Sequence, residues 1–394
     1  NHIDIRSLTA ETMTLERLPE FLDTPPSEDP LLPDYDIDIG ELKIGQFIAE
    51  APVSGERRVA TLAGNVQISD GRAKVDLGGA TLAGQGRAGG DRFALKLDAV
   101  PEDNRFDLDV DLNAPGDGVI AALAGLTEPL QMKLAGKGSW AKWNGQLTAA
   151  LAGKSLADIP VTGTDGTFNL KGMAGLARFA PPSTAALLGE ETNLDLTASL
   201  NERTATVEGR IFSDAFNLVT NGLIDLSDNS FEDFKAAFVL LKPSALAPNL
   251  RGSGLRAMVT LDGPFASPRA EYNINAARIV MNDMGVENLR AKGAVRINTS
   301  SILIPVSATA SRITGLDTVA GGTLTNIRLD GDIAVQGPRI LSDNMRMRSD
   351  RIDANLILLA DTSTGLYTGA IDGKIDNYRI ESVGVFNIET DIDL

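Results

Sequence analysis

The stretch FDLDVDL (residues 106–112) beats with a period of two. Phe106, Leu108, Val110 and Leu112 fall on one face of an extended chain, and Asp107, Asp109 and Asp111 on the other. Such alternation marks a strand that buries one side and wets the other. The same beat recurs in AKVDLGG (73–79), FALKLDA (93–99), LDLTASL (194–200) and IRLDGDIAVQG (327–337). It assigns to one apolar lining Val75, Leu77, Phe93, Leu95, Leu97, Phe106, Leu108, Val110 and Leu112. It adds Leu194, Leu196 and Leu200, then Ile327, Leu329, Ile333 and Val335.

Turn residues interrupt these runs at short intervals, as in PEDN, DLSDNS and ADTSTG. At about 10 to 13 residues per strand and turn, the chain holds on the order of 30 strands. Helix signals are few and short. Asp117 is placed to cap GVIAALAGL (118–126), and Ser183 or Thr184 to cap TAALL, with Gly189 as the stop. Leu15, Leu18, Phe21 and Leu22 stand at helical spacing before TPPSEDPLLP (24–33). Fold joints are expected near 24–33, 113–128, 178–190 and 242–254 within one continuous β-rich body over 1–394. The chain starts and stops inside patterned segments, so it reads as a piece of something longer.

Two weak internal repeats stand out. HIDIRSLTAETM (2–13) aligns with DIDIGELKIGQF (36–47), matching Ile3, Ile5 and Leu8 to Ile37, Ile39 and Leu42, and Met13 to Phe47. GKGSWAKW (136–143) resembles LDGPFASP (261–268), with Gly138 against Gly263 and Trp140 against Phe265.

Strands sit about 4.8 Å apart. An open ribbon of more than about ten strands curls or splits, because each strand twists against its neighbour. Three architectures satisfy the pattern: a row of sandwiches, a closed solenoid, or one long sheet curled into a trough. Hydrophobic residues make up 43% of the 394, aromatics only 5%, so whatever is buried is mostly aliphatic.

The composition excludes much chemistry. A net charge of −17 repels a phosphate backbone, so no nucleic-acid partner is expected. The acidic residues are spread along strands and read as a solvated face. The absence of cysteine removes disulfides and thiolate ligands. The one histidine, His2, cannot serve a triad or a histidine metal site. GQGRAG (84–89) precedes a strand pattern where a dinucleotide site needs a helix, and AGKS (152–155) lacks the first glycine of a phosphate loop. DYDIDIG (34–40) and DLDVDL (107–112) misplace the calcium-loop glycine. We expect no enzyme, no cofactor and no metal. No run reaches the roughly 20 apolar residues of a membrane helix. Trp140 and Trp143, in GSWAKWNG, read as residues that lock a turn onto the sheet.

The chain resembles the TamB family, the large inner-membrane-anchored subunit of the translocation and assembly module, within the AsmA-like group of bridge-like proteins. The likeness is carried by HIDIRSLTAETMTLERLP, by RFALKLDAVPEDNRFDLDVDLNAPGDGVIAALAGL, and by residues 241–295 with their Gly-x-Phe-Ala-x-Pro turn. It is diffuse and spans nearly the whole chain. It implies an all-β fold: a long, curled, mostly antiparallel sheet forming an open hydrophobic trough (a β-taco), with a few short helices. It implies a periplasmic location and an anchor outside this piece. An outer-membrane barrel partner of the Omp85 type would meet a C-terminal region also outside it. The implied role is carriage of phospholipid acyl chains between the two membranes. Two other roles fit the residues. One is assembly of outer-membrane β proteins, through exposed strand edges. The other is an adhesin-like structural rod.

Overall fold

The computed structural model describes residues 2–16, 36–50, 57–69, 71–83, 89–100, 105–120, 128–178, 180, 182–201, 204–225, 229–265, 268–297, 302–316, 323–336, 339–361, 366–380 and 384–393. The fold is all-β and mostly antiparallel, with 25 strands and short helical pieces among the described residues. The strands are often longer than the pattern implied, many of them 9 to 15 residues, which is why fewer than 30 are present. The chain packs as two units. The first comprises 1–181, 189–211 and 223–229, and the second 182–188, 212–222 and 230–394.

In the first unit, β1 (His2–Ile5) and β2 (Leu8–Leu15) both lie parallel beside β3 (Asp36–Ala49). The ladder then runs antiparallel through β4 (Arg58–Ser69), β5 (Arg72–Thr81), β6 (Arg92–Val100), β7 (Arg105–Ala114) and β8 (Leu130–Gly138). It continues through β9 (Trp143–Leu151), β10 (Lys154–Thr164), β11 (Thr167–Ala174) and β12 (Thr192–Asn201). The parallel start explains the first repeat. Ile3 faces Ile37, Ile5 faces Ile39, Leu8 faces Leu42 and Met13 faces Phe47. Copies of one pattern therefore stack like on like, and Ser7 reaches Glu41 across the same offset of 34 residues. The extra residues between Ile39 and Leu42, and between Ile44 and Phe47, are bulges that keep the apolar set on one face.

After β13 (Thr204–Phe212) and β14 (Phe216–Asp225), which contain the boundary, the second unit has its own ladder. It runs β15 (Ser230–Leu240), β17 (Arg256–Pro264), β18 (Arg269–Met281), β19 (Met284–Ile297), β20 (Ile302–Thr314) and β21 (Thr323–Gln336). It ends with β22 (Arg339–Arg348), β23 (Ile352–Asp361), β24 (Leu366–Ile380) and β25 (Gly384–Asp393). The short β16 (Leu250–Ser253) pairs with the far end of β18. Among the described residues no pairing closes either ladder on itself.

Four neighbouring strands of this unit break the two-residue beat at one level. Inward side chains step by three at Ala276/Ile279, Val286/Leu289, Ala310/Ile313 and Leu324/Ile327. Asn288 and Asn326 occupy the steps with φ of 52° and 55°, a left-handed conformation that asparagine tolerates. Ala310, Leu324 and Ile327 form a buried cluster at the break, joined by Val286 and Ile313. The aligned steps bend the sheet while every apolar side chain stays on the same side.

Several sequence expectations are corrected. Leu15 ends strand β2 rather than opening a helix, and Leu18, Phe21 and Leu22 lie outside the described residues. AGKS is a tight turn between β9 and β10, with Ala152 and Gly153 at φ of 50° and 72°. Asp36–Gly40 and Asp107–Leu112 are strand, not calcium loop. The helical turn beginning at Val119 takes its cap from Asp91, 28 residues back, not from Asp117. TAALL is helical, in α1 (Pro182–Leu188), and stops at Gly189 with φ of 71°, but the helix starts at Pro182, so Ser183 and Thr184 lie inside it rather than capping it. GQGRAG lies outside the described residues except for Gly89.

Candidate lining of an open apolar trough

The register aligns the expected lining residues into rows that cross the strands. In the first unit one row runs Val75, Leu97, Leu108, another Leu77, Leu95, Val110, Leu134, Leu147, and a third Phe93, Leu112, Met132. Phe106 stands opposite Ala99, and Leu194 and Leu196 stand opposite Gly172 and Leu170. Leu200 lies at the β12 end, exposed. In the second unit Ile327, Leu329, Ile333 and Val335 face Ala310, Ala308, Ile304 and Ile302. Each set shares one face of its own sheet.

The opposite face is polar and self-paired. Lys74 stands opposite Asp98, Asp76 opposite Lys96, and Lys96 opposite Asp109. Asp98 accepts from both Arg72 and Arg105, at 2.7 and 2.6 Å. Asp98 is held below the ordinary carboxylate range, chiefly by the Arg72 hydrogen bond. Exposed pairs of this kind add little stability but keep the outer face soluble.

Burial separates this sheet from half of a sandwich. Leu77, Leu95, Leu97, Leu108, Val110, Leu194 and Leu196 are half-buried, and Phe93 is 40% exposed. Of the sixteen lining residues only Ile327 is buried. Full burial in the first unit is found at single strand positions such as Ile44, Ala73 and Val161 and in two clusters beside irregular segments. Ala114, Leu130 and Leu151 lie under Ile120, and Ala149, Ala157, Ile159 and Ala174 beside Leu156 and Leu176. A facing layer would have covered the middle of the rows first.

The glycines show which way the first sheet curves. A Cβ built on Gly79, on the apolar face, would come within 2.6 Å of the Thr61 carbonyl oxygen on the neighbouring strand. On Gly78, one residue earlier and on the polar face, the nearest atom is 3.5 Å away. Adjacent strands therefore fold toward each other on the apolar side. Gly64 repeats the close approach, meeting the Asp76 carbonyl. In the second unit Gly293 lets the Tyr272 ring cross β19, and the Tyr272 hydroxyl donates to the Pro305 carbonyl at 2.8 Å.

Two features of the first unit had no clear sequence signal. Asp91 is buried and accepts from Thr81 Oγ1 at 2.5 Å and from the N–H groups of Val119 and Ile120 at 2.8 and 3.1 Å. Burial opposes its ionisation, but these donors outweigh it and hold its carboxyl below the usual range. Trp143 is 1% exposed, and its indole lies flat over Gly136 and Gly145. Phe106, Trp140 and Phe168 pack around it with centroids 5.7 to 6.2 Å apart. The two tryptophans do lock turns, as their spacing suggested, but their partners lie on strands far away in sequence.

No group of three or more metal-binding side chains occurs among the described residues, and no described helix is long and apolar enough to cross a membrane. Comparison with known protein families, with curated proteins and with solved structures finds no match to this chain.

Proposed function

We propose that the apolar face of each sheet binds the acyl chains of phospholipid and that the chain acts as a conduit for them rather than as a catalyst. One observation carries this: cross-strand rows of large aliphatic side chains, such as Leu77, Leu95 and Val110, stay half-exposed on the concave side of an open sheet. A leucine left wet forfeits part of the roughly 1.5–3 kcal/mol its burial would supply. An acyl chain laid along the row recovers about 0.8 kcal/mol per buried CH₂. Neighbouring sites along a row are chemically alike, so movement from one strand to the next meets small barriers. Leucine, valine, isoleucine and alanine give such a lining no directional preference, as suits a flexible hydrocarbon.

The likeness to the TamB family supports the same reading. It supplies the setting we propose: the periplasm, an inner-membrane anchor and an Omp85-type barrel partner, both outside this chain. Organic extraction and mass spectrometry of the purified protein test the proposal. Phospholipid in near-stoichiometric amount is the expected result, and a protein free of any acyl-bearing molecule contradicts it.

A further inference from the structure

In the second unit one cross-strand row on the polar face holds arginines and neutral residues but no acid. Arg256 stands opposite Asn275, Asn275 opposite Arg290, Arg290 opposite Thr309, Thr309 opposite Arg328, and Arg328 opposite Arg348. The arginines of this row are exposed and form no ion pair among the described residues. Nearby carboxylates are engaged elsewhere. Asp330 accepts from Ser307 at 2.9 Å, Asp332 from Asn344 at 2.7 Å, and Asp353, which faces Arg348, from Arg346 at 2.8 Å. The first unit does the opposite on its polar face, setting Lys74 against Asp98 and Lys96 against Asp109. Like charges directly across a ladder, as at Arg328 and Arg348, weaken a sheet, and among the described residues no carboxylate offsets the pair. Residues 251–348 also carry eleven arginines and one lysine, against 13 and 11 in the rest of the chain. Arginine's planar fork matches a carboxylate or phosphate better than lysine does.

The row follows the bend of the sheet: Asn275, Arg290, Thr309 and Arg328 are chain neighbours of Ala276, Leu289, Ala310 and Ile327, the inward residues at the aligned steps. A Cβ on Gly293 or Gly373, on the apolar face, would collide with a carbonyl of the next strand, so this sheet too curls toward that face and the row runs along its convex side. Arg256, Arg290 and Arg328 repeat every second strand, about 9.6 Å apart, too far to converge on one small anion. Glu287 and Asp330 stand in the two flanking rows, so a broad anionic surface would meet acids on both sides. A single narrow chain would meet the arginines alone. A polyproline II segment rises about 3.1 Å per residue with three residues per turn, which returns a side chain to the same side every 9.3 Å or so. We infer that this row docks an acidic polypeptide segment in the polyproline II conformation, with a carboxylate at every third residue. Successive carboxylates meet Arg256, Arg290 and Arg328, and Arg348 joins Arg328 at the last. The apolar face stays free throughout, so this inference goes beyond the conduit reading and stands without it.

The test titrates the full chain with a fluorescent peptide of five Glu-Pro-Pro repeats, read by anisotropy. A second peptide has the same composition with its glutamates in one block, and phosphatidylglycerol vesicles are a third probe. The spaced peptide should bind about tenfold tighter than the blocked one, and its affinity should fall as salt is added. Arg290→Glu/Arg328→Glu should weaken the spaced peptide at least about tenfold, and Arg290→Lys/Arg328→Lys about threefold, because the ammonium keeps the charge but loses the fork. Both positions are exposed, and Arg328→Glu relieves the repulsion with Arg348. The double charge reversal should therefore melt at the same temperature or higher, which separates lost binding from lost folding. No binding of the spaced peptide overturns the inference, as does equal binding of the two peptides. So does a spaced-peptide affinity that the charge reversal leaves unchanged. Vesicles held through these arginines more tightly than the spaced peptide would assign the row to a bilayer surface and overturn the inference as well.

Discussion

Met13 lies directly opposite Phe47 in parallel register, and Ile3 opposite Ile37, so two copies of one sequence pattern are stacked side by side. The offset stays at 34 residues along both strands, so the three-residue step from Ile5 to Leu8 is matched by the step from Ile39 to Leu42, where β3 bulges against β4. Deleting Glu41 should remove this bulge against β4 while breaking the common offset of β3 with β1 and β2, so that both can no longer pair with β3 in register and β2 loses its partner. Hydrogen exchange would show this as lost amide protection over 8–15, with protection over 92–114 retained. Unchanged protection over 8–15 would show that the register is set elsewhere.

Asp91 should contribute disproportionately to the stability of the first unit. Asp91→Ala removes acceptors for Thr81, Val119 and Ile120 and leaves buried donors unpaired, at a cost of about 1–3 kcal/mol. Urea denaturation followed by tryptophan fluorescence checks this, because Trp143 lies in the same unit.

The sign of the pH dependence follows from the same carboxylate. The folded-state value of Asp91 is depressed, so its contribution is fully present above the unfolded value of about 3.9 and is lost as pH falls through the folded value. Asp98, held down by Arg72 and Arg105, acts in the same direction but is more exposed to solvent screening. The urea midpoint should fall between pH 5 and the acid limit, and fall less in Asp91→Asn, measured against its own value at pH 7. A midpoint drop as large in the variant as in the wild type would remove Asp91 from this account.

Gly136→Val should collide with the Trp143 indole, whose ring atoms are the three nearest to a Cβ placed there. Overpacking of this kind costs about 1–3 kcal/mol. Trp143→Ala in the same chain should recover part of the loss, a coupling that a double-mutant cycle measures directly. Additive effects would mean that the two residues do not share the space.

Much of this fold was legible in alternation alone. The beat from Val75 to Leu112 named one face of three consecutive strands, and the register places those residues in rows as expected. The repeat between 2–13 and 36–47 encoded a residue-for-residue pairing. What alternation could not show depends on partners distant in the chain. The cap on Val119 comes from Asp91, because any nearby acidic residue looks equally suitable until the sheet brings β6 to that rim. The bend at Asn288 and Asn326 appears locally as a broken beat, and its meaning emerges only when four strands show it side by side. The direction of curvature rests on Gly79 against Thr61, a contact that no local pattern announces.

Neighbouring residues on opposite faces give the most direct measurement of the central claim. Leu108 points to the concave apolar side and Asp109 to the polar side, where it meets Lys133 at 3.3 Å. A photo-crosslinking amino acid placed at each position in turn, in cells, samples both faces of one strand. We predict lipid adducts at 108 and not at 109. Adducts at neither position, equal adducts at both, or adducts to polypeptide alone at 108 would contradict the conduit.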